Sequence, residues 1–402
     1  MSTSTDQLHV VIAGGGVAAL ETTLALRALA FDRVSIELIA PEPEFVYRPL
    51  AVTDPFLVGE TRRFPLGRLV HVAGGILRPG SVVSVDPEFR IVGTETGEQH
   101  AYDALVLALG AQPREAVPNA LTFIGSESGP ELKALLEQAV TGRVSRIVFG
   151  LPAGAAWPLP LYELALLTKA FLVDHNTTGV EILVVSPEER PLAVFGTQAS
   201  DAIAELLEVR GIEFRGRVTP LRFENGVLRL APNKELEADR VVTLPRLEGP
   251  GLAGLPHDRD GFIAVDDFCR AAGEPDVYAV GDLTQFPLKQ GGIATQQADV
   301  AATDIAARVG GTAKPTPFKP VLRGLLLTGM AARFLRTEPG TAQSIVDTEA
   351  LWWPPAKIVG RYLAPFLAST LGLAEPTPAL EAGAVQVEVE VDPSGRPASA
   401  IV

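Results

Sequence analysis

The sequence predicts an α/β protein: two three-layer βαβ domains, the second inserted in the first, followed by a C-terminal region. Three observations predict it. A buried apolar strand, Val10 to Ala13, runs into a glycine turn at Gly14-Gly15-Gly16. An imperfect copy of this strand–turn–helix unit begins at Ser145. A second apolar strand, far down the chain, ends in Gly281-Asp282. Together they make both domains Rossmann-like dinucleotide-binding units, because a tight glycine turn ahead of a helix brings free N–H groups against a pyrophosphate. The boundaries drawn are 1–112 and 251–314 for the first domain, 113–250 for the inserted one and 315–402 for the C-terminal region.

Composition agrees with this class. A chain of 402 residues with 47 % hydrophobic and 20 % charged residues suits a packed, multidomain protein. The formal net charge of −14 excludes nucleic acid as a partner, since a phosphate backbone needs a basic surface. Cys269 is the sole cysteine, which excludes an internal disulfide and a dithiol redox pair. The polar start MSTSTDQ leads straight into the first strand and does not read as a signal peptide. No uncharged apolar run reaches the roughly 18–20 residues of a membrane span. The expected location is the cytoplasm.

The elements follow in order. Leu8–Ala13, Ala18–Ala30 and Val34–Ile39 form the first strand–helix–strand unit, and Pro41, Pro43 and Pro49 make the next segment a loop. Val82–Val85 and Arg90–Val92 read as strands of a meander, and the apolar run Tyr102–Gly110 as a buried parallel strand. The second unit comprises strand Arg146–Gly150, helix Leu161–Asp174, strand Glu181–Val185 and helix Ala199–Arg210, closed by Val227–Leu230 and Arg240–Leu244. Phe262–Val265 and Val277–Val280 resume the first domain, and a helix covers Gln296–Arg308.

The chemistry lies at the turns. Gly14-x-Gly16-x-x-Ala19 opens the first helix, with alanine tolerated where only a small side chain is needed. The carboxylate for a ribose is Glu42, just past the strand end at Ala40; Glu37 suits the residue count but sits inside the strand. Asp282 is placed to accept from a ribityl hydroxyl, or else to act as a turn cap. Gly291-Gly292 precedes a helix start at Thr295, whose N–H groups would stabilise negative charge.

GGGVAALE, YDALVLALGA and DVYAVGDLTQFPLKQGG…ATQQA, in this order, resemble the two-dinucleotide-domain flavoproteins of the pyridine nucleotide-disulfide oxidoreductase superfamily. Sulfide:quinone oxidoreductases and flavocytochrome c sulfide dehydrogenase flavoprotein subunits lie nearest, and type II NADH dehydrogenases slightly further. The resemblance covers roughly residues 8–310 and implies non-covalent FAD. It carries over Gly14, Gly16, Ala108, Gly110, Gly281 and Asp282 as flavin contacts. Val17, Ala18, Ala19, Glu42, Arg48, Pro49, Val83, Gly292 and Ile293 complete the expected cofactor set. No metal ligand set is expected.

The chain departs from those relatives in three places. The sulfide oxidoreductases carry a cysteine pair over the flavin, and Cys269 matches neither position; it reads as a small buried residue. In the second unit Gly150 and Gly154 replace the expected glycine spacing, and Trp157, Pro158 and Pro160 crowd the pyrophosphate position, so this nucleotide site reads as degenerate. Glu188 holds a ribose hydroxyl or is a solvated loop charge. The third departure is 351–373, which laid on a helix has an apolar side (Ile358, Tyr362, Leu363, Phe366, Leu367) opposite Lys357 and Arg361. That suits either an interfacial anchor on the inner face of the membrane or a helix packed on the first domain or a dimer interface. Pro365 would kink it. Ala384–Glu390 reads as a half-exposed strand.

By resemblance, Glu163 is a candidate proton relay, with an interdomain salt bridge as the alternative, and Lys289 approaches the isoalloxazine ring. Gln296-Gln297 resembles a quinone-proximal pair; Trp157, Gln296, Trp352 and Trp353 would line an acceptor pocket. The expected function is an FAD-dependent oxidoreductase passing electrons from an unidentified donor to a quinone or another small redox acceptor, without a persulfide step. An NAD(P)H-dependent flavin dehydrogenase and a non-enzymatic flavoprotein scaffold are the alternatives.

Overall fold

A computed structural model describes residues 7–311, 313–329, 333–337, 344–347, 352, 354, 356–370 and 384–390. Val10 to Ala13 are wholly buried because strand Leu8–Ala13 is central in a parallel sheet, flanked by Val34–Ala40 and Ala104–Leu107. The sheet order is 277–279, 104–107, 8–13, 34–40, 76–79. Burial on both faces explains the uninterrupted apolar runs. Two helices, Val17–Ala30 and Gly291–Arg308, pack on each other across one face. Their contact is rich in alanine (Ala18, Ala19, Ala25, Ala298, Ala301, Ala302), whose small side chains allow a close approach.

The second sheet has the order 121–122, 240–243, 146–150, 181–185, 212–215, all parallel. Its strands all lie in sequence between 104–107 and 277–279 of the first sheet, so one unit is inserted in the other. A separate antiparallel meander runs through 219–224, 227–231 and 234–237. After the long helix a further sheet forms in the order 321–327, 384–390, 333–337, 344–347. The largest core joins three regions: helix Leu159–Asp174, Leu50 to Phe56 of the first domain, and Leu322 to Leu327.

Four elements differ from the expectation. The proline-rich segment after Ala40 is not all loop: Arg48–Phe56 is a 3-10 helix, with Pro49 in its first turn where the missing N–H is harmless. Phe262–Val265 pairs only through the bridges Ile263–Thr284 and Val265–Ala271. The long helix starts at Gly291 rather than Thr295, because the Gln290 side chain caps it by accepting the Ile293 N–H at 2.9 Å.

The fourth difference is the C-terminal helix, which is confined to Leu363–Thr370. Pro365 falls in its first turn and kinks nothing. Lys357 is not helical, and Ile358, Leu363, Ala364 and Leu367 are buried. The apolar–basic stripe of an anchor is therefore absent from the described residues, and the segment packs on the first domain. Trp353 and Leu371 lie outside the described residues. Strand Ala384–Glu390 forms as expected. Among the described residues no helix is long and apolar enough to cross a membrane.

Leu26 is fully buried in the core built around the two alanine-rich helices. Leu26→Ala is expected to lower stability by about 2–5 kcal/mol, read as a shift of the urea midpoint with an unchanged slope.

Candidate functional site

At the first glycine turn two glycines do different work. Gly14 holds φ +117°, and a Cβ there would collide with the Ala108 carbonyl oxygen. Its N–H is used by the Ile39 carbonyl at 2.7 Å, so the need for glycine comes from the protein itself. Gly16 faces the other way: a Cβ there, as on Gly110, would meet nothing within 4 Å. No side chain caps the helix at Gly16, so the first-turn N–H groups around Val17, Ala18 and Ala19 have no capping acceptor. Ala108 secures the floor, donating its N–H to Ala13 at 2.8 Å.

The Gly281-Asp282 turn sits beside this cradle. A Cβ on Gly281 would touch Ala18 at 3.3 Å and Ala294 at 3.4 Å, so both long helices close on it. Gly281, at φ +73°, is held by Gln297, whose buried Oε1 accepts its N–H at 2.7 Å. Thr284 Oγ1 donates to the Gly281 carbonyl at 3.0 Å and accepts from Gln297 Nε2 at 3.3 Å, closing a ring of hydrogen bonds. Among the described residues Asp282 accepts no hydrogen bond. Burial raises its pKa, while the charges of Lys289 and Arg48 pull it down. An unpartnered carboxylate beside two cations, next to open space lined by free N–H groups, fits a polyhydroxylated, pyrophosphate-bearing cofactor.

Lys289 is buried, donates to the Thr284 carbonyl and lies 4.0 Å over the Phe262 ring. Burial lowers its pKa to about 8 against the pull of Asp282 and Asp258. Gln290 was not among the expected residues. By capping the long helix it takes the Ile293 N–H, which is thus not free for a ligand, and its Oε1 lies where a Cβ on Gly292 would come within 2.9 Å.

Glu42 is exposed just past strand Val34–Ala40, whereas Glu37 is engaged by His100 at 2.8 Å, Arg78 at 3.3 Å and His9 at 3.4 Å. Glu42 is thus the free acid of the two. Arg48 begins the 3-10 helix and is exposed. Val83 is exposed on strand Val82–Asp86, which follows Gly80, itself bound through its N–H to Ala40.

At the second glycine turn Gly150 is closed in by protein, while a Cβ on Gly154 would meet nothing within 4 Å. A Cβ on Gly150 would come within 3.2 Å of Pro220, and Trp157 packs edge-on against Phe195 at 5.7 Å. Pro158 caps helix Leu159–Asp174 and Pro160 lies in its first turn. The Ala156 carbonyl is taken by the Lys289 N–H at 3.2 Å. Glu188 is neither a solvated charge nor free for a ribose. Its Oε2 accepts from Tyr162 at 2.5 Å and Ser186 at 3.0 Å, and its Oε1 from the Ala193 N–H at 3.0 Å.

Glu163 forms the salt bridge that was the alternative to a proton relay. Fully buried, it takes Lys357 Nζ at 2.7 and 2.6 Å and the Leu327 N–H at 2.9 Å. The same ammonium donates to the Pro49 carbonyl at 3.1 Å. Burial raises the Glu163 pKa and lowers that of Lys357, each opposed by the other's charge. Gln296 is also engaged: its amide bonds the Gly292 and Val321 carbonyls and the Val321 N–H at 2.7–2.8 Å, anchoring the C-terminal sheet. Trp352 is half-buried and donates to the Ala356 carbonyl at 3.1 Å. Cys269 is wholly buried, and burial beside Asp266 and Asp267 pushes its thiol well above the ordinary range.

Comparison with known proteins follows this geometry. The pattern of the pyridine nucleotide-disulphide oxidoreductase family matches residues 8–150 and 162–302. The chain is 26 % identical to a rubredoxin-NAD(+) reductase of Pseudomonas putida over 360 residues, covering 81 % of this chain and 87 % of that protein. It is 24 % identical to the sulfide-quinone reductase of Aquifex aeolicus over 310 residues, 69 % of each chain. The solved structure of sulfide:quinone oxidoreductase from Aquifex aeolicus superposes with a TM-score of 0.69 at 21 % identity, over 75 % of this chain and 77 % of that one. A ferredoxin reductase from Rhodopseudomonas palustris superposes with a TM-score of 0.59 at 23 % identity, over 82 % and 85 %.

Because Gly16 faces open space, Gly16→Asp is expected to leave the fold intact, by circular dichroism, and to yield protein without the yellow of bound flavin. Lys357→Met would strand a buried carboxylate and cost about 3–5 kcal/mol of stability in urea unfolding; adding Glu163→Leu is expected to recover part of it.

Proposed function

We propose that this chain, which belongs to the pyridine nucleotide-disulphide oxidoreductase family, passes electrons from a donor other than NAD(P)H through FAD to a quinone or another acceptor, without a cysteine persulfide step. The family's members are FAD-dependent oxidoreductases, and the chain is an enzyme of that class rather than a scaffold. One observation carries the finer reading: Glu188, the acidic residue past the second turn, is already engaged by Tyr162 and Ser186, and Pro220 closes in Gly150.

When bound, FAD supplies the two-electron chemistry. The N–H groups near Gly16 to Ala19 would hold its pyrophosphate, Glu42 the adenosine ribose, and Asp282 a ribityl hydroxyl. The N-terminus of helix Gly291–Arg308 lends a positive field where negative charge develops on reduction. Lys289, at a pKa of about 8, exchanges a proton near neutral pH and is the residue assigned to proton handling. Cys269 is buried and single, which supports a route without thiol chemistry.

A second reading is an NAD(P)H-dependent reductase for a small electron carrier. The similarity to rubredoxin and ferredoxin reductases favours it.

Anaerobic flavin absorbance with NADH, NADPH, sulfide and a quinol separates the two. The expected result is that about millimolar NADH or NADPH leaves the flavin oxidised for minutes, while a quinone reoxidises chemically reduced enzyme. Rapid bleaching by either nicotinamide would overturn the first reading in favour of the second.

A further inference from the structure

Where the C-terminal segment crosses the first domain, two carboxyl groups meet. Glu21 lies on helix Val17–Ala30 and is fully buried; Asp299 lies on helix Gly291–Arg308. Glu21 Oε1 accepts the Tyr362 N–H at 2.8 Å and Oε2 the Leu363 N–H at 2.6 Å, which caps the helix Leu363–Thr370. The two carboxyl groups lie close enough that the charge on Glu21 disfavours ionisation of Asp299. Two like charges in one buried site are costly, so the pair holds one proton between them. Both oxygens of Glu21 are committed to N–H donors, which places that proton on Asp299. Asp299 Oδ1 is buried with no hydrogen-bond partner.

We propose that Asp299 and Glu21 form a proton-operated latch that holds residues 357–363 across the N-terminal turn of the long helix. With Asp299 protonated, Glu21 carries the pair's single negative charge and directs it at the N–H groups of a helix start. Loss of the proton puts two negative charges into one buried site. Among the described residues the other charged or titratable groups facing the pair are Arg361 and Tyr362, both on the held segment itself. Arg361 offsets one carboxylate charge and leaves the second uncompensated.

The held segment is closely fitted. A Cβ on Gly360 would come within 2.6 Å of Glu21 Oε2, and one on Gly291 within 2.9 Å of Ile358. Thr295 donates to the Val359 carbonyl at 2.8 Å, and the Ile358 N–H donates to Tyr47 at 3.1 Å. The latch therefore covers the helix end that the proposed function sets against the flavin. It requires no particular donor or acceptor, so it stands or falls separately from that reading.

The direction of the pH effect follows from the two states. With the segment released, Asp299 returns toward its ordinary value of 3.8; in the closed form burial and Glu21 hold it at about 8. The closed form therefore keeps a proton that the open form loses. Its advantage is full at low pH, shrinks as pH rises and levels off above about 8.

Trypsin tests this, because Lys357 and Arg361 are cleavage sites within the held segment. The purified flavoprotein is digested briefly between about pH 6.5 and 9, and the C-terminal fragments are identified by mass. Rates are normalised to an unstructured peptide at each pH. Cleavage is expected to rise toward pH 8, by up to about tenfold per unit, and then to level. Asp299→Asn, which keeps a donor without a charge, is expected to remain resistant throughout. Glu21→Gln is expected to be cut faster at every pH. Should either carboxyl variant fail to fold, Arg361→Gln is decisive through cleavage at Lys357: removing its positive charge moves the rise to higher pH. A flat profile for the unaltered protein, an unchanged profile for Asp299→Asn, or an unmoved rise for Arg361→Gln would overturn the proposal.

Discussion

One buried ammonium joins four parts of the chain. Lys357 Nζ sits against both oxygens of Glu163 and the carbonyl of Pro49, and Glu163 also holds the Leu327 backbone. The contact links the C-terminal segment, the inserted lobe's central helix, the proline-rich segment of the first domain and the added sheet. Desolvating two ions is costly, and the offset comes from mutual charge and from the hydrogen bonds each keeps. Neither partner is stable in that place alone, so the arrangement of the lobes and the placement of the C-terminal segment are set together. Gln296 repeats the pattern nearby, binding the edge of the added sheet to the helix that meets the cofactor site.

The two glycine turns share an ancestry of form but have opposite interiors. In the first, the helix N-terminus is uncapped and faces space beyond Gly16. In the second, Pro220 closes in Gly150, the Lys289 N–H takes the Ala156 carbonyl, and the acid that would meet a ribose is turned toward Tyr162 and Ser186. Polar groups that would otherwise wait for a ligand are satisfied internally, and the turn becomes part of the seam between lobes.

Much of the fold was legible because local constraints force it. Gly14 is required where the backbone meets the Ala108 carbonyl, and strands buried on both faces show as unbroken apolar runs. The turn that carries Asp282 was legible from the buried strand that precedes it. What could not be read depends on partners distant in sequence. Glu163 was singled out, but nothing in its neighbourhood points to Lys357, 194 residues away. Glu188 sits in a Pro-Glu-Glu-Arg stretch whose composition suggests solvent, although Tyr162 draws it inward. In the C-terminal segment, apolar spacing suggested a long helix; periodicity does not distinguish residues that bury a helix from those that bury an extended strap. Gln290 and Gln297 act through side-chain hydrogen bonds to the Ile293 and Gly281 N–H groups, which leave no pattern in composition.

The capping of a C-terminal helix by Glu21 bears on how the molecule is made. Glu21 leaves the ribosome well before its donors, the N–H groups of Tyr362 and Leu363, which follow only after the whole inserted lobe. At about 5–20 residues per second, its carboxylate waits on the order of tens of seconds for them. The inserted sheet, whose strands run from 121 to 243, lies wholly inside that interval. During synthesis the Glu21 carboxylate therefore stays without these donors until the inserted sheet has been made, and a domain begun before that sheet is completed after it.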